Sequence, residues 1–229
     1  MRAPAEVGAN ASTVVELRRQ RNLCRQPADR TVVKPTSWLY RDRVAWDSQQ
    51  TRRRLLEAAI TEFSAYGIAG ARVDRIAAAA KANKQAIYAY FGSKDALFCA
   101  AFEDRIRDFH ASVLFDEYDL AEYGGRMFDK FEDTPETLRL VLWYQLERVA
   151  GPPLEVILDS NKDKVGRVAA AQQEGKVTGA YPPVALLGLA RSTAMVWHTQ
   201  IPELAPLFPA DRRDRREMVV RVIGQILDK

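Results

Sequence analysis

The residues best equipped to bind a partner lie in the segment "KQAIYAYFGSK", from Lys84 to Lys94. Its lysines and glutamine can donate hydrogen bonds, and Tyr88 and Tyr90 add two hydroxyls. Because the tyrosines are two positions apart, one helix cannot bury both rings on the same face. At least one ring therefore faces outward, and an exposed group of hydroxyl and ammonium groups suits a polar or anionic partner.

The distribution of charge also favours an anionic partner for the first half of the chain. Residues 1–104 hold 17 Lys and Arg against 11 Asp and Glu, whereas residues 105–229 hold 17 against 19. A basic half joined to a mildly acidic half is typical of a protein whose first part meets a polyanion.

Several other classes of protein are disfavoured by the composition. His110 and His198 are the only histidines, and neither has Cys or His at metal-ligand spacing, so we predict no metal site, no cofactor and no catalytic group. Cys24 and Cys99 cannot form a disulfide framework. There is no apolar run of about 18 residues and no secretory signal, so we expect no membrane partner and a cytoplasmic protein.

A short series of helices positions the segment from Lys84 to Lys94. The stretch "DSQQTRRRLLEAAITEFSAYG" predicts a helix that starts at Asp47 or Ser48 and ends at Gly67 as a left-handed cap. "RVDRIAAAA" predicts a short second helix, and Asn83 is suited to cap the third. The two short helices and their tight turn have the outline of a helix-turn-helix, in which Lys81 needs a left-handed backbone.

The remainder of the sequence predicts only helices, and the fold class is therefore all-α. The expected helices cover residues 119–131, 135–149, 153–175, 182–199 and 211–228, with prolines at helix starts and glycines at ends. The glycine pair in "EYGGR" is interpreted as a helix break or kink.

Residues 48–104 resemble the DNA-binding domain of the TetR family of bacterial transcription regulators. "LLEAAITEFSAYG" and "VDRIAAAAKANKQAIYAYFGSKDALF" follow the family's first helix, helix-turn-helix and start of the fourth helix. The resemblance implies an all-α chain with a three-helix DNA-binding domain at residues 47–104 and a helical ligand-binding and dimerisation bundle at residues 105–229. Residues 1–46 are predicted to be a basic, disordered arm.

Double-stranded operator DNA is then the expected partner of the first domain. The amino-terminal residues of a recognition helix meet base edges in the major groove, and here they are Lys84, Gln85 and Ala86. The resemblance implies that Tyr88, Tyr90 and Lys94 contact phosphates. Arg72, at the start of the second helix, is also assigned to DNA binding.

The second domain is expected to bind an unidentified small molecule and a second copy of the chain. The candidate ligand-binding residues are aromatic or imidazole side chains of the bundle: Tyr123, Phe128, Trp143, Tyr144, Trp197 and His198. Ordinary aromatic core is the alternative for each. The last helix carries an apolar stripe of Val219, Val222, Ile223 and Ile226, which either forms a homodimer interface or docks on its own chain.

The function predicted from these features is a repressor that a ligand releases from its operator. A ligand-independent DNA-binding protein with a fully packed bundle is one alternative, and a helical enzyme with an incidental helix-turn-helix is another. The arm has two interpretations as well. Its nine Lys and Arg residues could follow DNA beside the recognition helix, or translation could start further on, near Val44.

Overall fold

The computed structural model describes residues 37–147 and 153–227, with side chains from Ser48 onward. The chain divides into two units, residues 1–43 and residues 44–229, and the description below concerns the second unit. The helices of the described residues are α1 (Ser37–Gly70), α2 (Val73–Ala79), α3 (Lys84–Phe91), α4 (Lys94–Ser112), α5 (Leu120–Asp133), α6 (Pro135–Glu147), α7 (Glu155–Gln173), α8 (Pro183–Met195) and α9 (Arg212–Leu227). Over these residues the predicted all-α fold is confirmed, and short 3-10 turns follow α8.

Helix α1 differs from its predicted bounds at both ends. It begins at Ser37, so residues 37–46, which the sequence assigns to the arm, are helical; residues 1–36 lie outside the described residues. Gly67 has the expected positive φ of 69°, a region that glycine adopts readily, but the chain kinks there and continues in helix to Gly70. Gly67 is itself non-helical and separates two helical segments, and the Ile68 and Ala69 amides that follow it donate to the Glu147 carboxylate.

The first hydrophobic core joins α1 to α2, α3 and α4. Leu55, Ala59 and Phe63 lie on one face of α1 at the spacing of an amphipathic helix, and all are fully buried. The Phe63 ring meets Phe98 of α4 edge to face, with the ring centroids 5.1 Å apart. Leu140 of α6 completes this core, so the amino-terminal helices pack on a helix of the bundle that follows them.

The second core lies among α5, α7, α8 and α9 and depends on close contact between α5 and α9. Gly124 and Gly125 sit inside an unbroken α5, so the predicted helix break is wrong. A Cβ added at Gly124 would overlap Cδ1 of Ile223, and one at Gly125 would lie 2.9 Å from Cγ2 of Val220. The glycines are therefore needed for the approach of α9, not for a bend.

Helices α4 and α6 connect the two cores. Helix α4 contributes Phe98 to the first core and Phe109 to the second, and α6 contributes Leu140 and Leu138 in the same way. Within the described ranges, no helix is both long enough and apolar enough to cross a membrane.

Candidate nucleic-acid interface and ligand cavity

The turn between α2 and α3 has the geometry that its sequence requires. Lys81 has φ of 52°, so a non-glycine residue does occupy the left-handed conformation. Asn83 caps α3, since its Oδ1 accepts a hydrogen bond from the Ala86 amide at 2.7 Å. This cap fixes the first turn of α3, where the three predicted base-reading residues lie.

At that first turn, Lys84 and Gln85 are exposed and Ala86 is half-buried. The Lys84 ammonium lies 3.0 Å from a carboxylate oxygen of Asp74 on α2, and this hydrogen bond raises the pKa of Lys84. Asp74 was not identified from the sequence, because its pairing depends on how α2 and α3 cross. A base contact by Lys84 therefore has to compete with an intramolecular ion pair.

The two tyrosines of α3 both point away from the core, whereas the spacing required this of at least one. The side chain of Tyr88 is 46% exposed and that of Tyr90 is 36% exposed, while Ile87, directly before Tyr88, is fully buried. The Tyr90 hydroxyl lies 3.0 Å from the Ser48 hydroxyl on α1. Because a hydroxyl can both donate and accept, Tyr90 keeps hydrogen-bonding capacity for a phosphate. Both phosphate contacts stay predictions.

Lys94 makes hydrogen bonds within its own chain that the sequence does not indicate. Its ammonium donates to the carbonyl oxygens of Ala69, at 3.2 Å, and Ala71, at 3.0 Å. It thus satisfies two acceptors at the end of α1 and ties α4 to that end. An ammonium has three N–H groups, so one can still reach a phosphate, and the predicted phosphate contact of Lys94 remains a prediction.

A buried carboxylate holds the start of α2, and sequence reasoning missed it. Glu62 accepts from the Arg72 backbone amide and from Nε of Arg75, each at 2.8 Å. Burial alone would raise the pKa of Glu62, but the hydrogen bonds from Arg75 and the Arg72 amide lower it below its usual value. Arg72 is thereby fixed through its backbone, which leaves its exposed side chain available for the predicted DNA contact.

A cavity of about 250 Å³ lies among α4, α6 and α7, and an adjoining one of about 390 Å³ extends to α8. Their shared lining includes Val141, Asn161 and Arg191, and the first is walled by Phe102 and Tyr144. A mostly apolar lining with a few polar groups is typical of a small-molecule site. The two cavities are therefore candidates for an effector site, which a ligand-independent protein would not need.

The six predicted ligand-binding residues do not share one site, and this part of the prediction needs correction. Only Tyr144 lines the cavity, where it stacks on Phe102 with ring centroids 4.3 Å apart. The other five lie elsewhere because they serve packing or helix contacts. Trp143 donates from Nε1 to the Ser64 carbonyl, Trp197 donates to the Arg215 carbonyl, Tyr123 packs on Phe115, and Phe128 lies beside His198.

The predicted dimer stripe also divides into two parts. Val219 and Ile223 are buried within their own chain against α5, so they cannot form an interface with a second copy. Ile226 is half-buried against the same core. Val222 is 41% exposed and stays a candidate. Helix periodicity could not separate the two faces, because both sides of α9 carry apolar residues.

Comparison with known proteins identifies the family. Residues 55–101 match the bacterial regulatory proteins of the tetR family, and residues 119–224 match the tetracyclin repressor-like C-terminal domain. The HTH-type transcriptional repressor SCO4008 of Streptomyces coelicolor is 40% identical over 191 residues, which cover 81% of this chain and 99% of that protein.

Solved structures give the same result. The Streptomyces coelicolor protein SCO4942, described as a transcriptional regulator, has a TM-score of 0.69 and 35% identity, over 77% of this chain and 97% of that one. FadR from Bacillus subtilis, solved with stearoyl-CoA, has a TM-score of 0.53 over 73% of this chain and 97% of that one, and its 18% identity supports the fold alone. The chain belongs to the TetR family of bacterial transcriptional regulators.

Proposed function

We propose that this chain is a homodimeric, operator-binding repressor whose affinity for DNA falls when a small molecule enters the cavity lined by α4, α6, α7 and α8. The observation that carries the proposal is the first turn of α3. Its exposed donors, Lys84 and Gln85, stand on a helix whose start is fixed by the Asn83 cap. Lys suits guanine O6 and N7, and Gln suits adenine N6 and N7, in the major groove.

Repression is the proposed direction of regulation because the relative SCO4008 is named a transcriptional repressor and aligns over almost its whole length. The protein would act in the cytoplasm, where it meets operator DNA.

The dimer is proposed from exposed apolar side chains on the last two long helices. Val184 and Leu189 on α8 and Met218 and Val222 on α9 are all at least 40% exposed, so these two helices offer apolar contact area to a second copy. A two-fold pair of these surfaces would place two copies of α3 for successive major grooves, about 34 Å apart. A ligand that favours a different separation weakens DNA binding by its differential affinity for the two states.

The effector site is proposed for the cavity because its wall joins the two cores. Phe102 belongs to the core of the DNA-binding domain and also lines the cavity. FadR, a protein of the same fold, was solved with stearoyl-CoA, which supports a small-molecule site in this architecture.

The test is selection of bound sequences from a randomised duplex library with the purified full chain, followed by a transcription assay on promoters that contain the selected site. The expected result is an inverted repeat with half-sites about one helical turn apart, and lower transcription when the protein is present. Recovery of no enriched sequence would refute operator binding. Higher transcription would refute repression while leaving operator binding intact.

A further inference from the structure

From the charges around the cavity we infer that the effector carries an anionic head group, such as a carboxylate, on an apolar body. This inference rests on the proposed function, since it assigns the chemical class of the molecule that the cavity accepts. The head group would bind Arg191, and the apolar part would lie against Phe102, Tyr144 and Leu154.

Arg191 is the residue on which the inference depends. It lines both adjoining cavities, and among the described residues that line them it is the only charged side chain. Its guanidinium donates to Oδ1 of Asn161 at 3.0 Å, a neutral partner, and among the described residues no carboxylate lies within 4.0 Å of it. A half-buried guanidinium with a neutral partner keeps most of its charge available, and its planar donors suit a carboxylate.

A second positive charge, on Lys164, lies within the bundle and is affected by the charge of Arg191. Lys164 on α7 is buried and donates to the Ser160 hydroxyl at 2.7 Å, which in turn lies 3.4 Å from Nδ1 of His110. Burial lowers the pKa of Lys164, and the charge of Arg191 lowers it further. Asp163 acts in the opposite direction on Lys164, but its side chain is exposed.

His110 is affected by the same two positive charges. Burial, followed by the charges of Lys164 and Arg191, lowers the pKa of His110 to about 4, so the imidazole stays neutral near pH 7. Lys164 is a buried cation and Arg191 a half-buried one, and they repel each other. Among the described residues the only buried carboxylate is Glu62, which is paired with Arg75, so a bound anion would relieve that repulsion. A cationic ligand would increase that repulsion.

The apolar part of the site is provided by other residues of the cavity lining. Phe102 and Tyr144 stack with an interplanar angle of 3°, and Ile106, Leu154 and Ile157 extend the surface. These side chains offer an apolar ligand contact area but no charge. A molecule with one anionic end and one apolar end therefore matches both halves of the lining.

Three probes of equal chain length test the inference: octanoate, octanol and octylammonium, titrated by calorimetry into the full-length protein without DNA. Wild-type protein is expected to bind octanoate about tenfold more tightly than octanol, which corresponds to about 1.4 kcal/mol, and octylammonium most weakly. Equal binding of the three probes, tighter binding of octylammonium, or no heat with octanoate at millimolar concentration would each overturn the anionic class. None of these results bears on operator binding, which the selected DNA site measures separately.

Three substitutions and one control locate the effect. Asn161→Asp places a carboxylate beside Arg191 with almost no change in volume, and should remove the preference for octanoate while leaving octanol binding unchanged. Arg191→Met should do the same, and Arg191→Lys should retain part of the preference. Arg139→Met, at an exposed arginine of α6 outside the cavity, is the matched control and should behave as wild type. Retained preference in folded Asn161→Asp would show that Arg191 does not bind the head group.

Discussion

Replacing Lys84 by Ala tests the proposed reading of bases by α3. In the free protein the Lys84 ammonium is paired with Asp74 at 3.0 Å, and both side chains are largely exposed. Exposed ion pairs change an equilibrium by at most about fivefold, whereas a good base contact discriminates between bases by about tenfold or more. We therefore expect Lys84→Ala to weaken binding to the selected operator by about tenfold and to relax the preference at one base position of each half-site.

The competition with Asp74 gives this prediction a second, independent part. Asp74→Asn removes the pair that Lys84 must leave and also removes a negative charge near the phosphates. Affinity for every sequence should rise by up to about fivefold, and Lys84→Ala should cost more in the Asp74→Asn background than in wild type.

Fluorescence anisotropy with labelled duplexes, at one fixed salt concentration, measures both effects, since DNA affinity depends steeply on salt. Lys162→Ala is the matched control, because Lys162 is also an exposed lysine paired at 3.1 Å, with Asp159 on α7. A uniform loss of affinity for all sequences in Lys84→Ala would mean that Lys84 contacts phosphate. An unchanged affinity would mean that it stays paired with Asp74.

The remaining predictions concern packing, assembly and the amino-terminal segment. Gly124→Ala should lower the melting temperature, because overpacking against Ile223 costs about 1–3 kcal/mol. Gly166→Ala, where a methyl group meets no neighbour, should raise the melting temperature, because alanine gains up to about 1 kcal/mol of helix propensity over glycine. Equal shifts in the two variants would refute the close contact. Val222→Asp should give a folded monomer in sedimentation experiments and lose operator binding; an unaltered dimer would exclude α9 from the interface. Deleting residues 1–43 should leave the melting temperature unchanged, since the described core begins at Leu55, and a clear fall would mean that this segment packs on the bundle. If the deletion weakens DNA binding and makes it less dependent on salt, the segment is a basic arm that contacts DNA. If DNA binding is unchanged, translation that starts near Val44 is favoured.

Local features of this fold were predictable because they depend on neighbouring residues. The Asn83 cap and the left-handed backbone at Lys81 were both expected from a stretch of a few residues, and both are observed. The burial of Ile87 and the outward orientation of at least one of the two tyrosines likewise follow from helix periodicity alone.

Features that depend on contacts between distant residues were not predictable in this way. Glycines in a sequence have the same appearance at a kink and at a close helix contact, so Gly124 and Gly125 were misread. Aromatic residues likewise pack in a core or line a cavity without any difference in spacing, and of those predicted only Tyr144 lines the cavity. Arg191 was missed because a single arginine on an apolar helix has no local pattern that marks its partner.

The arrangement of α6 explains how one molecule could act on both domains under the proposed function. Val141 and Tyr144 on this helix line the cavity, and Leu140 beside them is buried in the core of the DNA-binding domain. At the end of the same helix, the Glu147 carboxylate accepts from the Ile68 and Ala69 amides, at 2.7 and 2.9 Å.

Those amides follow directly on the kink at Gly67, where the Trp143 ring also packs. A ligand that shifts α6 by pressing on its cavity face would therefore move the end of α1 through hydrogen bonds and packed side chains. Lys94 ties the start of α4 to the same end of α1, through the Ala69 and Ala71 carbonyls. Because α3 lies between α1 and α4 in the chain and packs in their shared core, a change in that anchor would reach the helix that reads DNA.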